Sequence, residues 1–433
     1  MKGMKLLLKT FKGGIHLPDY KNSIDCPIEN ISPPAKVFIP MQHNAIPTVK
    51  KGEYVKKGQI IGVCSHDQQY YIHASVSGMI ADIQTGNSYQ NFGNTEYVII
   101  ENDFTNTLDE SVERYTGDIF KEQPKKIIDT LYKCGISLPS STENIKEIII
   151  NSTECEPYIT KNHRLVIELS EKIVSSARIL GFVTEAANIT IAIDDSNPDT
   201  FETLNNHASQ YNDINIKLLK TKYPQNNERQ LLYSLKNIEL SYDKRPNDVG
   251  YAIFDIETCL SVYNAVYEGL PYTDTVITVD GDAINDPKNI RVPLGTTISD
   301  IADFCNGVKN NLSKIVCGGP MTGRAVWDVN EVVTKSTNAI LFLSDKNIQS
   351  CEETCIRCGR CVSACPMHLM PNYLAKFSIQ KDIKRAIQFG MLSCIECGSC
   401  TYICPGNVSI VQYIRMAKDE FHYEIEKESE AKS

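Results

Sequence analysis

CIRCGRCVSACP, residues 355–366, and CIECGSCTYICP, residues 394–405, carry one pattern twice. Cys355, Cys358, Cys361 and Cys365 precede Pro366, and Cys394, Cys397, Cys400 and Cys404 precede Pro405. Both runs read C-x2-C-x2-C-x3-C-P, the bacterial ferredoxin spacing for [4Fe–4S] clusters. Three cysteines on a tight loop present their sulfurs to three irons of one cube. The fourth lies a helical turn further on and reaches the other cube. By that rule Cys355, Cys358, Cys361 and Cys404 hold one cluster, and Cys394, Cys397, Cys400 and Cys365 hold the second. Gly359 and Gly398 let the backbone pass close to inorganic sulfide. The prolines interrupt the loop hydrogen bonds after the fourth ligand. Zinc ribbons are the alternative, but zinc wants two CxxC knuckles per site. Between the runs, Leu374, Phe377, Ile379, Ile383, Ile387 and Phe389 give residues 366–393 a helical pattern.

The wider composition supports metal over disulfides. The chain has 433 residues, 16 cysteines and a formal charge of −9. Nine cysteines lie between Cys351 and Cys404. Residues 1–12 are short and basic, with no apolar run long enough for a signal peptide. In a reducing cytosol, clustered cysteines bind metal more often than each other. No run approaches 18 apolar residues, so a transmembrane helix is not expected. The acidic balance, without a Lys/Arg block, argues against nucleic acid. A cytoplasmic protein is expected.

Residues 37–83 read as short strands with glycine turns and resemble a biotinyl/lipoyl-type barrel sandwich. The expected hairpin tip, residues 65–69, has no lysine to acylate, which favours a structural or docking role over swinging-arm chemistry. Residues 125–265 alternate helix and strand. Helices are expected at 127–134, at 163–180 with Gly181 as C-cap, and at 201–211. Strands are expected at 147–150, 189–193 and 214–219. This rhythm argues a parallel α/β sheet, whose ligands bind beyond the C-terminal strand ends. The strand at 147–150 runs into Asn151-Ser152-Thr153-Glu154-Cys155-Glu156-Pro157-Tyr158. Glu154 and Glu156 are therefore candidate flavin or nicotinamide contacts; the alternative is a solvated polar loop. A further strand-rich segment opens at 276–280.

From end to end the chain resembles the RnfC family, the soluble electron-input subunits of Rnf complexes, related to the NADH-binding flavoprotein subunit of respiratory complex I. The resemblance rests on Phe11-Lys12-Gly13-Gly14-Ile15-His16-Leu17-Pro18, on His73-Ala74-Ser75-Val76-Ser77-Gly78, on residues 151–158 with His163-Arg164-Leu165, on Gly318-Gly319-Pro320-Met321-Thr322-Gly323, and on the ferredoxin end through Gln412-Tyr413-Ile414-Arg415. It implies an α/β multidomain chain. A barrel-sandwich region would span 1–110, an FMN/NADH-type α/β domain 120–270, a β-grasp (SLBB-like) segment 271–345, and a helical two-[4Fe–4S] domain 346–418. A charged, frayed tail would fill 419–433.

Two departures bear on function. The family's glycine-rich flavin loop corresponds to Cys134-Gly135-Ile136-Ser137-Leu138-Pro139-Ser140, which keeps one glycine. A second glycine position falls in Pro224-Gln225-Asn226-Asn227-Glu228-Arg229-Gln230, which has none. These losses favour electron transfer through the two clusters to or from a partner reductase, as in a soluble branch of the family associated with D-proline reductase. A full Rnf subunit with FMN and NADH, peripheral at the inner membrane face, is the alternative. A structural Fe–S scaffold is a third reading. Cys134 is a candidate redox thiol, its alternative being an inert buried cysteine, and Cys351 a candidate spare ligand.

Overall fold

The computed structural model describes residues 8–42, 45–64, 70–88, 93–139, 144–347 and 354–430. Cys351 and the hairpin tip at 65–69 lie outside the described residues. Four strands form the central parallel sheet, in the order Ile214–Leu219, Asn188–Asp194, Glu147–Asn151, Tyr251–Asp255. Glu147–Asn151 is isoleucine-rich because helices cover both faces of such a sheet. Ile148, Ile149 and Ile150 are completely buried.

The helix Lys161–Val183 runs past the C-cap expected at Gly181. That glycine serves packing instead, since a Cβ there would lie 3.0 Å from Ile189 Cδ1 on the neighbouring strand. The cap is Thr184, whose hydroxyl donates to the Leu180 carbonyl at 2.7 Å. The expected frayed tail is also corrected. A helix, Ile410–Glu430, continues through residues 419–430 of it, because Glu and Lys are good helix formers and Phe421 still packs on the cluster-end core.

The second sheet is mixed and has a β-grasp arrangement. Asp274–Asp280 pairs antiparallel with Lys288–Pro293, the helix Ile298–Phe304 follows, and Ala339–Ser344 returns parallel to the first strand. Leu312–Cys317 and Arg324–Val326 extend one edge. At the other edge lies Ile28–Asn30, parallel to Lys288–Pro293. The barrel sandwich stacks a four-stranded sheet (Lys36–Pro40, Gly93–Asn102, Gly78–Ser88, Tyr54–Val55) on a three-stranded one (Ile46–Pro47, Ile60–Cys64, Tyr70–His73). Val37, Ile61, Ile80 and Ile100 fill its core.

Residues 8–30 do not join the sandwich. They form a strap across three units. Lys9 bridges to Leu219 and Ile15 to Tyr223 on the α/β unit. The Gly14 N–H donates to the Ala364 carbonyl at 2.9 Å, reaching the cysteine-rich end. Asn22 Nδ2 donates to Asp280 Oδ1 at 2.8 Å, reaching the mixed sheet. Gly13 has φ +73°, and a Cβ there would meet the Cys365 carbonyl oxygen at 2.5 Å.

Gly13→Ala should therefore cost more than left-handed strain, which alone is about 1–2 kcal/mol. Gly52→Ala is the control, because Gly52 has φ +85° with no neighbour within 4 Å. Calorimetry should show a larger drop in Tm for Gly13→Ala than for Gly52→Ala. Equal drops would mean the strap does not press on the cysteine-rich end.

Candidate functional site

A cavity of about 510 Å³ opens at the C-terminal ends of the parallel strands, where an open α/β sheet binds its ligands. Its walls come from the loop after Glu147–Asn151, from residues 223–227, from the glycine loop 318–323 and from residues 335–338. Ile395 and Cys397 of the second cysteine run close it.

The structure places Glu154 and Glu156 in this wall with different duties. Glu156 is a clamp. Its Oε2 accepts the Met321 N–H at 3.0 Å and its Oε1 the Thr322 hydroxyl at 2.6 Å. A Cβ on Gly319 would stand 2.0 Å from that Oε2, so only glycine lets the loop approach. Burial raises the Glu156 carboxyl above its usual range. Glu154 keeps an atom to spare. Its Oε1 accepts the Asn162 N–H at 2.8 Å, while its Oε2 is buried without a partner among the described residues. Burial pushes its carboxyl up to about 7. Between them, the Cys155 thiol donates to Asn226 Oδ1 at 3.1 Å, and burial raises its pKa strongly.

Several wall residues carried no sequence signal. Lys161 and Arg324 bring positive charge, as does Lys335. Lys161 Nζ lies 4.0 Å from Glu257. Asn227 caps the helix Glu228–Lys236, its side chain accepting the Arg229 N–H at 3.1 Å; such a helix start favours anions. These cations and the helix start fit the phosphate of a cofactor, while the unpaired Glu154 oxygen, with Asp255 and Glu257 of the same wall, fits its hydroxyl or N–H groups.

The loop expected to replace the flavin cradle lies elsewhere in its described part. Ile136 and Leu138 are buried in the α/β core. The Gly135 carbonyl accepts Lys335 Nζ at 2.7 Å, so the loop stands behind that lysine. The redox-thiol reading of Cys134 is corrected. Its side chain is 0 % exposed, and burial pushes the thiol up to about 12, leaving almost no thiolate near neutrality.

The eight cysteines of the two runs surround two further cavities. Cys365, Cys394, Cys397 and Cys400 line the inner one. Cys355, Cys358, Cys361 and Cys404 line the outer one. Each draws three sulfurs from one run and one from the other, a donor set matching one thiolate per iron of a cube. Among the described residues, no three His, Cys, Asp or Glu side chains gather tightly enough for a single ion such as zinc. The inner quartet is ringed by donors: the Leu369 N–H reaches Cys365 Sγ and the Glu396 N–H reaches Cys394 Sγ, each at 3.4 Å. Lys418 Nζ holds the Cys394 carbonyl at 2.6 Å and Glu396 Oε1 at 2.8 Å. Tyr223, fully buried, donates its hydroxyl to the Cys397 carbonyl at 2.5 Å. The large cavity and the inner quartet therefore share a wall.

Two outcomes follow from the carboxylates. Gly319→Ala should break the Glu156 clamp, and hydrogen exchange at the Met321 and Thr322 amides should quicken; unchanged exchange would show the clamp to be dispensable. The Glu154 carboxyl is raised from 4.5 to about 7, so its stabilising contribution is complete below about pH 4.5 and is lost as pH rises through about 7. Glu154→Gln should remove that loss. Calorimetry should find the variant gaining Tm over the parent between pH 5 and 8; a constant difference would show that Glu154 is not the titrating group.

Three domain families match. The RnfC barrel sandwich hybrid domain covers residues 9–105, the Nuo51 FMN-binding domain 132–264, and the 4Fe-4S dicluster domain 354–409. The C component of the proton-translocating ferredoxin:NAD(+) oxidoreductase complex of Clostridium ljungdahlii is 37% identical over 436 residues, covering 96% of this chain and 94% of that protein. The C component of the Na(+)-translocating ferredoxin:NAD(+) oxidoreductase complex of Acetobacterium woodii is 30% identical, covering 85% and 87%. Its counterpart in an ion-translocating oxidoreductase complex of Haemophilus influenzae is 33% identical over 94% of this chain, which spans 65% of that longer protein. An NAD+-reducing [NiFe]-hydrogenase structure in the H2-reduced state shares the fold at 13% identity, with a TM-score of 0.51 over 69% of this chain and 61% of that one. No helix among the described residues is long and apolar enough to cross a membrane. With an FMN-binding domain, a dicluster domain and alignment along most of its length to the C components of two ferredoxin:NAD(+) oxidoreductase complexes, the chain is an iron–sulfur electron-transfer protein of the RnfC family.

Proposed function

We propose that the chain is the nucleotide-side subunit of an Rnf-type ferredoxin:NAD oxidoreductase complex, bound peripherally at the cytoplasmic membrane face. Its inner cluster is held by Cys365, Cys394, Cys397 and Cys400, and its outer cluster by Cys355, Cys358, Cys361 and Cys404. The large cavity takes FMN and NADH. A flavin supplies the exchange between two-electron hydride chemistry and one-electron steps. The observation that carries the reading is the common wall: Ile395 and Cys397 line both the large cavity and the inner cysteine quartet. An electron leaving that cavity meets the inner cluster first.

Exposure supports the remaining order. Cys365, Cys397 and Cys400 are buried, whereas Cys355 and Cys358 are exposed, so the outer cluster faces a protein partner. The relatives named above belong to ion-translocating complexes. Those names favour an Rnf-type complex over the proline reductase expected from sequence, which no observation supports. The glycine loss at 134–140 weighs less than it does in the sequence, because Gly135 stands behind Lys335, outside the cavity wall; the loss at 224–230 keeps its weight, since Pro224, Asn226 and Asn227 line the cavity.

Anoxically purified protein should contain FMN near one per chain, and NADH should bleach its visible absorbance within a stopped-flow trace. Cys397→Ser should slow electron arrival at the clusters at least tenfold while leaving flavin reduction fast. Protein that holds both clusters but no flavin, and is not bleached by NADH, would move the assignment to a cluster-only relay.

A further inference from the structure

Two polar side chains besides the cysteines line the outer cavity, Arg357, which is exposed, and Asn372, whose side-chain oxygen is buried. Asn372, the second residue of the helix Pro371–Ile379, lines it beside Cys355, Cys358, Cys361 and Cys404. Its backbone N–H points at the Cys361 sulfur. Its side-chain oxygen is buried and has no hydrogen-bond partner among the described residues. Buried amide oxygens are seldom left unpaired. The two ends of an asparagine amide are alike in shape, and the one facing a given group is settled by what that group can accept or donate. Thiolate and sulfide sulfurs only accept. Turned about its last torsion, the amide would place its NH2 where the oxygen now stands.

The two quartets differ at this point. In the second run, Ser399 sits between Cys397 and Cys400. It is fully buried, with its Oγ 3.4 Å from Cys397 Sγ. The same position in the first run is Arg360, which is exposed. The outer quartet thus lacks the hydroxyl that serves the inner one, and of the two polar side chains lining its cavity, Arg357 and Asn372, it is Asn372 that has its polar end buried there.

We infer that Asn372 turns its side-chain NH2 toward a sulfur of the outer cluster and, as a hydrogen-bond donor, raises that cluster's reduction potential. The inference rests on the outer quartet holding a [4Fe–4S] cluster. A donor to sulfur favours the reduced, more negative cluster, which is how protein hydrogen bonds tune such centres. The Asn372 donor would then shift electron sharing toward the outer, exposed cluster.

The test is an EPR-monitored redox titration of the anoxic full-length protein and of Asn372→Leu, which keeps the volume and removes the donor. The leucine variant should lower the outer-cluster midpoint by about 59 mV, a tenfold shift of electron sharing toward the inner cluster, with the inner midpoint unchanged. Asn372→Gln should restore part of the loss. If the leucine variant fails to assemble its outer cluster, pulsed EPR on the parent, labelled with 15N only in asparagine side chains, decides. A coupled side-chain nitrogen at the outer cluster supports the contact, and its absence overturns it. An unchanged outer midpoint in a variant holding both clusters also overturns it. About four irons in the parent, instead of about eight, would instead overturn the cluster reading beneath it.

Discussion

Four sulfurs arrive at each small cavity from two separate runs of the chain, and this crossing is the constraint on which the cysteine-rich end depends. Neither run can leave without breaking both quartets. The backbone is built twice to the same plan. Gly359 and Gly398, at φ 76° and 74°, each precede a short helix carrying the third cysteine. The helices Pro371–Ile379 and Ile410–Glu430 pack across the crossing and bury Leu374, Met391 and Ile414. Lys418 and Arg415 pin the second loop through Glu396.

The remaining units are arranged around that end. The strap at 8–30 touches the parallel sheet, the first cysteine run and the mixed sheet in turn. Tyr223 ties the α/β unit to the backbone of Cys397. Glu156 binds the mixed sheet's glycine loop to the end of a parallel strand. The Tyr223 and Glu156 contacts cross between units at the large cavity, so its shape depends on both. Exposure rises from the inner quartet, where Cys365, Cys397 and Cys400 are buried, to the outer one, where Cys355 and Cys358 are exposed.

The local parts of this arrangement are legible in the sequence. The cysteine spacing is a short-range code, and its two copies can be read without knowing the rest. The strands at 147–150 and 189–193 are visible because continuous apolar runs of that length suit a sheet covered on both faces, and the edge strand at 214–219 shows the alternation of a half-covered one. Tyr251–Asp255 escapes, since YAIFD is short and its partner lies about a hundred residues away. Gly181 misleads because a glycine needed for close packing and one needed for a helix stop look alike. Cys134 looks reactive for its place in a loop, and burial decides otherwise. Lys335, Tyr223 and Arg324 line one cavity only after the α/β and mixed-sheet units have docked, so no local pattern announces them.

The central claim is that the chain's eight paired cysteines hold iron–sulfur cubes whose inner member borders the nucleotide cavity. Mössbauer spectroscopy on 57Fe-enriched, anoxically prepared protein tests its foundation most directly. The account predicts that essentially all bound iron gives the signature of two [4Fe–4S]2+ clusters per chain, both reducible by one electron. Zinc in place of iron, or a single cluster with the second quartet empty, would contradict it.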